Sequence, residues 1–284
     1  MLISVVMANY NGDKYIEYAI KSVLDQEESD FEFIIIDDAS TDKSKEIIEK
    51  YYILDKDRIK FFSQSENSGQ GMCLNLGISE AKGDIVCFLD SDDIWFKDKL
   101  KNVKKVFSIS SNIAFHQHNL LVMRDTEITK KSFKEILIAG DYFAYTKRTR
   151  KLPIFSPTSG LSFKRKLLNL VLPIPSAFKT CADGYLTRTV FCYGEVSANV
   201  ESWGAYRIHG SNCTIENSKF DSEKYMNDLL VPHLNTYYLK NGIDLQLHRK
   251  NIVTKIFSVS IRRILRQFLS EKVFRCFENF IEGL

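Results

Sequence analysis

The sequence predicts an α/β fold, Rossmann-like, with a mostly parallel central sheet flanked by helices and a helical extension at the C-terminal end. Three observations carry that prediction. Through the first half of the 284-residue chain, short β-branched or aromatic runs alternate with longer segments of helical periodicity, the pattern of βαβ units and a parallel sheet. The run Ile85-Val86-Cys87-Phe88-Leu89 is apolar throughout, as a strand buried on both faces should be. After about Ile215 the pattern turns helical and stays so.

The elements follow in order. Residues 3–8 read as a first strand. Helical periodicity over 14–26 rests on Ile16, Ala19, Ile20, Val23 and Leu24, which share one face. A strand over 31–37, a helix over 43–52, a strand over 59–63 and a helix over 69–82 come next, and then the strand over 85–90. Residues 112–122 look like a further strand. The polar stretch 124–150 reads as a loop over one rim of the sheet. A Pro157-Thr158-Ser159-Gly160 turn leads into a short strand and a helix near Lys164. Residues 183–193 read as a helix and 196–208 as a strand.

Composition narrows the class. Hydrophobic residues make up 44% of the chain, enough for a sizeable core. The formal net charge of +3 does not point to nucleic-acid binding. Six cysteines stand without a CxxC pair or zinc spacing, which reads as reduced thiols in a cytoplasmic protein. The opening MLISVVMANYNG has no basic n-region, so it reads as a strand rather than a signal peptide. No stretch approaches the roughly 20 apolar residues of a membrane span.

In an open α/β sheet, ligands bind beyond the carboxyl ends of the strands. Three such ends are polar here: Asn9-Tyr10-Asn11, Asp37-Asp38-Ala39-Ser40 and Asp90-Ser91-Asp92-Asp93, with Glu66-Asn67-Ser68-Gly69 after the third strand. The acidic end is the most informative. Like charges packed this closely are costly unless something neutralises them. In extended backbone Asp90 and Asp92 point the same way and can share a cation, while Asp93 points elsewhere and caps the helix that starts near Phe96. Hard oxygen donors suit Mg²⁺ or Mn²⁺, which are commonly held by one or two carboxylates plus substrate phosphates. The plainer reading is a strand–helix turn with exposed acids.

The whole set resembles glycosyltransferase family 2, enzymes with the GT-A nucleotide-sugar fold. The matching stretches are "SVVMANYNGDKYIEYAIKSVLDQ", "FEFIIIDDASTDKS", "NSGQGMCLNLGISEAKGDIVCFLDSDDIW", an acid in "CADGYLTR", and "YRIHGSN". They span about the first 215 positions, which makes residues 1–215 the expected transferase domain and 216–284 the helical extension. The resemblance implies an inverting transfer from a nucleotide-sugar donor, uridine-linked, to a saccharide or lipid-linked saccharide acceptor in surface-glycan synthesis. It makes "DSD" the family's DxD motif, with Asp92 on the metal and Asp90 on the ribose or the metal. It assigns Asp38, not Asp37, to the base, with Ala8 and Tyr10 flanking the uracil. Asn67 and Gly69 fall where the family's third strand passes under the nucleotide. Family members often carry a basic residue soon after that glycine, whereas Gln70, Gly71 and Met72 follow here.

An inverting transfer is a single displacement and needs a carboxylate to take the acceptor's proton. Asp183, at the head of its helix, is the candidate. Arg207 and His209, two apart after a strand, are placed to face the diphosphate, His209 as a metal ligand or a phosphate donor. His116 and His118 have a spacing that can bind metal, but with no third ligand nearby in sequence they read as core or acceptor-side packing. Trp95 and Trp203 are candidates to line sugar subsites or to fill the core. Residues 156–160 are candidates to shape the acceptor site.

Beyond Leu245 the chain is strongly basic, with Val253, Phe257, Ile261, Ile264, Leu265 and Phe268 on one stripe. Such a helix can lie on an anionic membrane at its cytoplasmic face, pack on the catalytic domain, or pair with a second copy in a homodimer. Two other functions share the acidic motif. One is a haloacid-dehalogenase-like phosphatase with Asp90 as nucleophile, which leaves the NYN and IIIDDAS stretches unexplained. The other is a nucleotide-sugar binder without catalysis.

Overall fold

The computed structural model describes residues 1–133, 137–210 and 221–248. The basic stripe beyond Leu245 therefore lies almost wholly outside the described residues, as do Ser211 and Asn212 of the YRIHGSN stretch. Strand and helix alternate through the first half: β1 (Ile3–Asn9), α1 (Ile16–Leu24), β2 (Phe31–Asp37), α2 (Ser44–Leu54), β3 (Ile59–Ser63), α3 (Gln70–Glu80) and β4 (Ile85–Phe88). These strands lie in the order β3-β2-β1-β4, all parallel. β2 and β4 are buried at every position, which is why neither shows a polar/apolar alternation. α1 buries Ile16, Ala19, Ile20 and Val23, the one stripe a 3.6-residue period brings to the sheet. Because the strands run the same way, Asn9, Asp37 and the residues after Ser63 and Phe88 come out on one rim.

The second half continues the sheet as a mixed one. It contains β5 (Ile94–Trp95), α4 (Lys99–Ile109), β6 (Ile113–Arg124), β7 (Glu127–Ser132), α5 (Tyr142–Thr149), β8 (Leu161–Lys164), α6 (Arg165–Val171), α7 (Asp183–Val190) and β9 (Glu195–Ile208). The order runs on from β4 through β8, β6 and β9 to β5, with β7 on β6. β8 pairs antiparallel with β4 and β6, while β6 and β9 run parallel. The stretch 124–150 is therefore not a loop. It carries a hairpin strand and a helix, and the strand was hidden because none of its described side chains is buried. A half-exposed edge needs no apolar alternation to pair.

Two compact units divide the chain. One comprises Met1–Ala144 with Leu152–Asp221, and the other Tyr145–Lys151 with the segment from Ser222 onward. The first holds the sheet and its core of Ile, Val and Phe side chains. In the second, α8 (Ser222–Lys224), a π-helical turn over Tyr225–Leu230 and α9 (Val231–Lys240) follow one another. Asn235 clasps the backbone of Leu247 through both its amide groups, at 2.9 and 2.8 Å. Lys147 meets Asp244 at 2.7 Å. Among the described residues no helix is long and apolar enough to cross a membrane.

Candidate functional site

The rim is built from loops that hold one another. After β1, Asn9 donates its side-chain amide to Asp37 at 2.8 Å and to Ser40 at 3.1 Å. Asn11 and Ala39 take left-handed backbone, φ 51 and 61, so the two turns clasp each other. Asp37 is spent on this clasp, since its second oxygen accepts the Ser40 N–H at 3.0 Å. Asp38 looks the other way. Its carboxylate accepts the N–H groups of Ser68 and Gly69 at 2.8 and 2.7 Å, and the Ser68 hydroxyl at 3.0 Å. Tyr10 stands 52% exposed beside it in sequence, and Ala8 is half-buried. Asn67 itself is exposed; the backbone of its two successors makes the contacts.

The acidic loop after β4 separates its three aspartates. Asp92 turns outward, its side chain 29% exposed, and its Oδ2 lies 2.9 Å from His209 Nε2. Asp90 is half-buried and receives the Gln70 side-chain amide at 3.3 Å. Burial first, and then the charges of Asp92 and Asp183, push the Asp90 carboxyl up to about 8. Asp183, in the first turn of α7, is thus near enough to act on Asp90, and burial raises its own carboxyl as well. The candidate base, spaced far from the acidic motif in sequence, comes to the same rim.

Asp93 does not cap a helix. It is fully buried, accepting the Arg207 N–H at 2.8 Å and the Ser159 hydroxyl at 2.6 Å. The next helix, α4, starts later than Phe96, at Lys99 with Asp98 before it. The pleat sends Asp93 inward, where it ties the end of β9 to the turn before β8. Burial, and then Asp92 and Asp90, push its carboxyl well above the usual range. Ser159 also accepts the Asp90 N–H at 3.0 Å, so one hydroxyl serves two aspartates. The 156–160 turn is accordingly a buttress behind the acids, with Ser156, Thr158 and Ser159 buried.

A family model described as glycosyl transferase family 2 matches residues 4–169. The chain belongs to glycosyltransferase family 2. An uncharacterized glycosyltransferase of Nostoc is 35% identical over 246 residues, covering 81% of this chain and 76% of its own. The Escherichia coli enzyme WfgD, named as a UDP-Glc:alpha-D-GlcNAc-diphosphoundecaprenol beta-1,3-glucosyltransferase, is 28% identical, with 85% of this chain and 92% of its own covered. Among solved structures, Staphylococcus aureus TarS with UDP-GlcNAc superposes at TM-score 0.66 and 23% identity, over 87% of this chain and 68% of its own. A Pyrobaculum calidifontis mannosyltransferase, solved with GDP-Man and Mn²⁺, gives 0.58 at 18%, over 87% and 65%. Those two show the fold, which is GT-A. The protein is a glycosyltransferase, and the phosphatase reading of Asp90 is not favoured.

Not every candidate of this transferase reaches the open rim. Arg207 is 1% exposed. Its Nε donates to the Asp92 carbonyl at 2.7 Å, and its guanidinium lies over the Tyr15 ring at 4.6 Å. It thus holds the acidic loop from beneath, and the ring of His209, two residues on, lies tilted against the same tyrosine at 4.8 Å. His116 and His118 are core residues. Both are fully buried against Trp203, His116 stacked on its ring and His118 tilted to it, and His118 Nε2 sits 2.7 Å from Lys99 Nζ. Trp95 and Trp203 are buried too, so neither lines a sugar subsite; the Trp95 indole N–H is committed to the Ser159 carbonyl at 2.8 Å.

Gln70 and Tyr15 were not singled out from sequence as site residues, and Ser159 entered only within the 156–160 turn, as a candidate to shape the acceptor site. Each acts through contacts tens of residues away, and no local pattern marks them. The donor chemistry of the rim fits a divalent cation. Asp92 and His209 offer an oxygen and a nitrogen side by side, and Asp90 adds a carboxyl that burial, and then the charges of Asp92 and Asp183, make costly to ionise without a counter-charge. Among the described residues no three such side chains already stand grouped around one point, so other ligand positions would fall to substrate or water.

Proposed function

We propose that this transferase is inverting and metal-dependent, moving a sugar from a uridine-linked nucleotide donor to a saccharide or lipid-linked saccharide acceptor. The observation that carries the reading is the meeting of Asp90, Asp92, His209 and Asp183 on one rim, two of them in contact at 2.9 Å. Tyr10 and Asp38 take the base, the exposed ring stacking and the carboxylate accepting an imide N–H alongside its loop partners. Asn67, Gly69 and Ala8 line the nucleotide's path. Asp92, His209 and Asp90 would hold Mn²⁺ or Mg²⁺. A bound divalent ion supplies counter-charge to the departing nucleoside diphosphate. Arg207 keeps Asp92 in place from below. Asp183 takes the proton of the acceptor hydroxyl, and its raised carboxyl makes it a better base than an exposed aspartate.

Residues 1–215 carry this chemistry on the reading proposed, with 216–284 as a helical extension. A uridine donor and a lipid-linked acceptor are supported by what WfgD is named for and by the ligand in the TarS structure. Such an acceptor places the enzyme at the cytoplasmic face of a membrane. Flotation of the full chain with anionic vesicles checks that placement, and a chain that stays with the pellet argues against it.

A panel of UDP-, GDP- and dTDP-sugars with Mn²⁺ tests the donor site through the melting temperature. At least one uridine donor should raise it, and Asp92→Ala should remove the metal-dependent part. Asp183→Asn should keep the donor shift and lose turnover by at least about a hundredfold. A wild type stabilised by no nucleotide would end the pocket assignment. Donor binding without any turnover in the wild type would instead favour a binder without catalysis.

A further inference from the structure

The turn Ser68-Gly69 and the first residues of α3, Gln70 and Gly71, link two parts of the rim that are far apart in sequence. On one side this segment hangs from Asp38 by the Ser68 and Gly69 N–H groups. On the other it docks backbone to backbone on the segment that leads into α7. Gln70 N–H donates to the Lys179 carbonyl at 2.8 Å, and Gly71 N–H to the Phe178 carbonyl at 3.0 Å. Lys179 Nζ returns a bond to the Ser68 carbonyl at 2.8 Å. The approach is close enough to require glycine. A Cβ on Gly71 would meet the Phe178 oxygen at 2.6 Å, and one on Gly69, where φ is +88, would meet Lys179 Cα at 2.7 Å.

Between these strands of contact lies one side chain with two partners. Gln70 Nε2 donates to Asp90 Oδ1 at 3.3 Å, and its Oε1 accepts the Ala182 N–H at 3.0 Å. Ala182 is fully buried, and α7 starts with no capping side chain of its own. The first N–H groups of a helix have no partner within it. Gln70 therefore supplies the missing acceptor from 112 residues away. Cys181, just before, takes a left-handed φ of 54, a conformation that persists only where its surroundings over-determine it.

We propose that Gln70 is a positioning residue for the transfer. Its amide holds Asp90, on the donor side, and the start of α7, which carries Asp183, as one unit. The inference rests on the reading of the site given above and names a device within it. Its chemistry needs both ends of the amide, a donor toward Asp90 and an acceptor toward Ala182. Methionine has the length and neither group. Glutamate has the acceptor alone.

The test uses the full chain and two independent readouts. Amide hydrogen exchange over residues 178–184 reports the link without any ligand. Gln70→Met and Gly71→Ala should each speed it about tenfold or more, while the peptides of β1 and β2 keep wild-type protection. Gln70→Glu should leave exchange over 178–184 near wild type. Turnover is read as nucleoside diphosphate released from UDP-glucose, UDP-N-acetylglucosamine or GDP-mannose with Mn²⁺ and water as acceptor. In Gln70→Met, kcat should fall about tenfold or more with KM for the donor within about threefold of wild type, because a lost positioning contact acts on the reacting geometry. Wild-type exchange over 178–184 in both Gln70→Met and Gly71→Ala overturns the inference. So does wild-type kcat in Gln70→Met. A wild type that releases diphosphate from no sugar nucleotide sinks the reading of the site, which is a different failure, and the exchange data tell the two apart.

Discussion

Asp93 illustrates how three neighbouring acids of one type divide their work. Asp92 faces outward beside His209, Asp90 is shared with Gln70, and Asp93 is sealed inside with the Arg207 N–H and the Ser159 hydroxyl as partners. Replacing it with leucine leaves a buried N–H without an acceptor, a defect that costs about 1–3 kcal/mol. Asp93→Leu should therefore lower stability by about 2–4 kcal/mol in urea melts. Asp93→Asn, which can still accept from Arg207, should lose less than half of that. Equal losses would mean that the charge, rather than the hydrogen bond, is what the fold uses. The three acids look alike in sequence because alternation along the backbone is the only local difference between them.

At the scale of elements, the seat of α3 on the sheet is set by a glycine. Gly77 is buried, and a Cβ there would meet Val6 Cγ1 at 2.3 Å and Ile36 Cδ1 at 2.9 Å. Helix and sheet approach too closely for any side chain. Gly77→Ala should destabilise the protein by about 1–3 kcal/mol through overpacking, even though alanine is the better helix former by about 1 kcal/mol. An equilibrium urea titration showing a stabilised variant would mean that α3 can move outward freely. The first four strands and their helices were legible because each repeats a clear period: Ile16, Ala19, Ile20 and Val23 on α1, or the unbroken apolar run of β4. β7 and α5 were not, since none of the described side chains of β7 is buried and nothing periodic distinguishes them from a loop.

For the molecule as a whole, buried histidines set a response to acid. Burial, and then the nearby Lys99 charge, lower His116 to about 3, and His118 lies well below its ordinary value for the same causes. Both are neutral when folded and take up protons near pH 6.5 when unfolded. The unfolded chain then binds more protons, so stability is fully present above pH 6.5 and falls as pH drops from 6.5 toward 3. The expected slope is about 1.4 kcal/mol per pH unit for each histidine. His116→Phe, measured beside wild type by urea melts at pH 6.5, 5.5 and 4.5, should flatten the curve by about that amount. Parallel curves would show that His116 is protonated in the folded protein.

The sequence by itself determined the fold class, the family and the four strand ends that carry the polar residues. Periodicity and strand-end chemistry are local properties, and the motif order survives in one dimension. Only the tertiary structure decided which polar residues share the rim. It brought Asp183 to Asp90 and His209 to Asp92, and it sent Asp93, Arg207, His116, His118 and both tryptophans inward. Those outcomes depend largely on pairings between strands and loops 64 to 117 residues apart, and no spacing along the chain encodes which side chain finds water and which finds a partner.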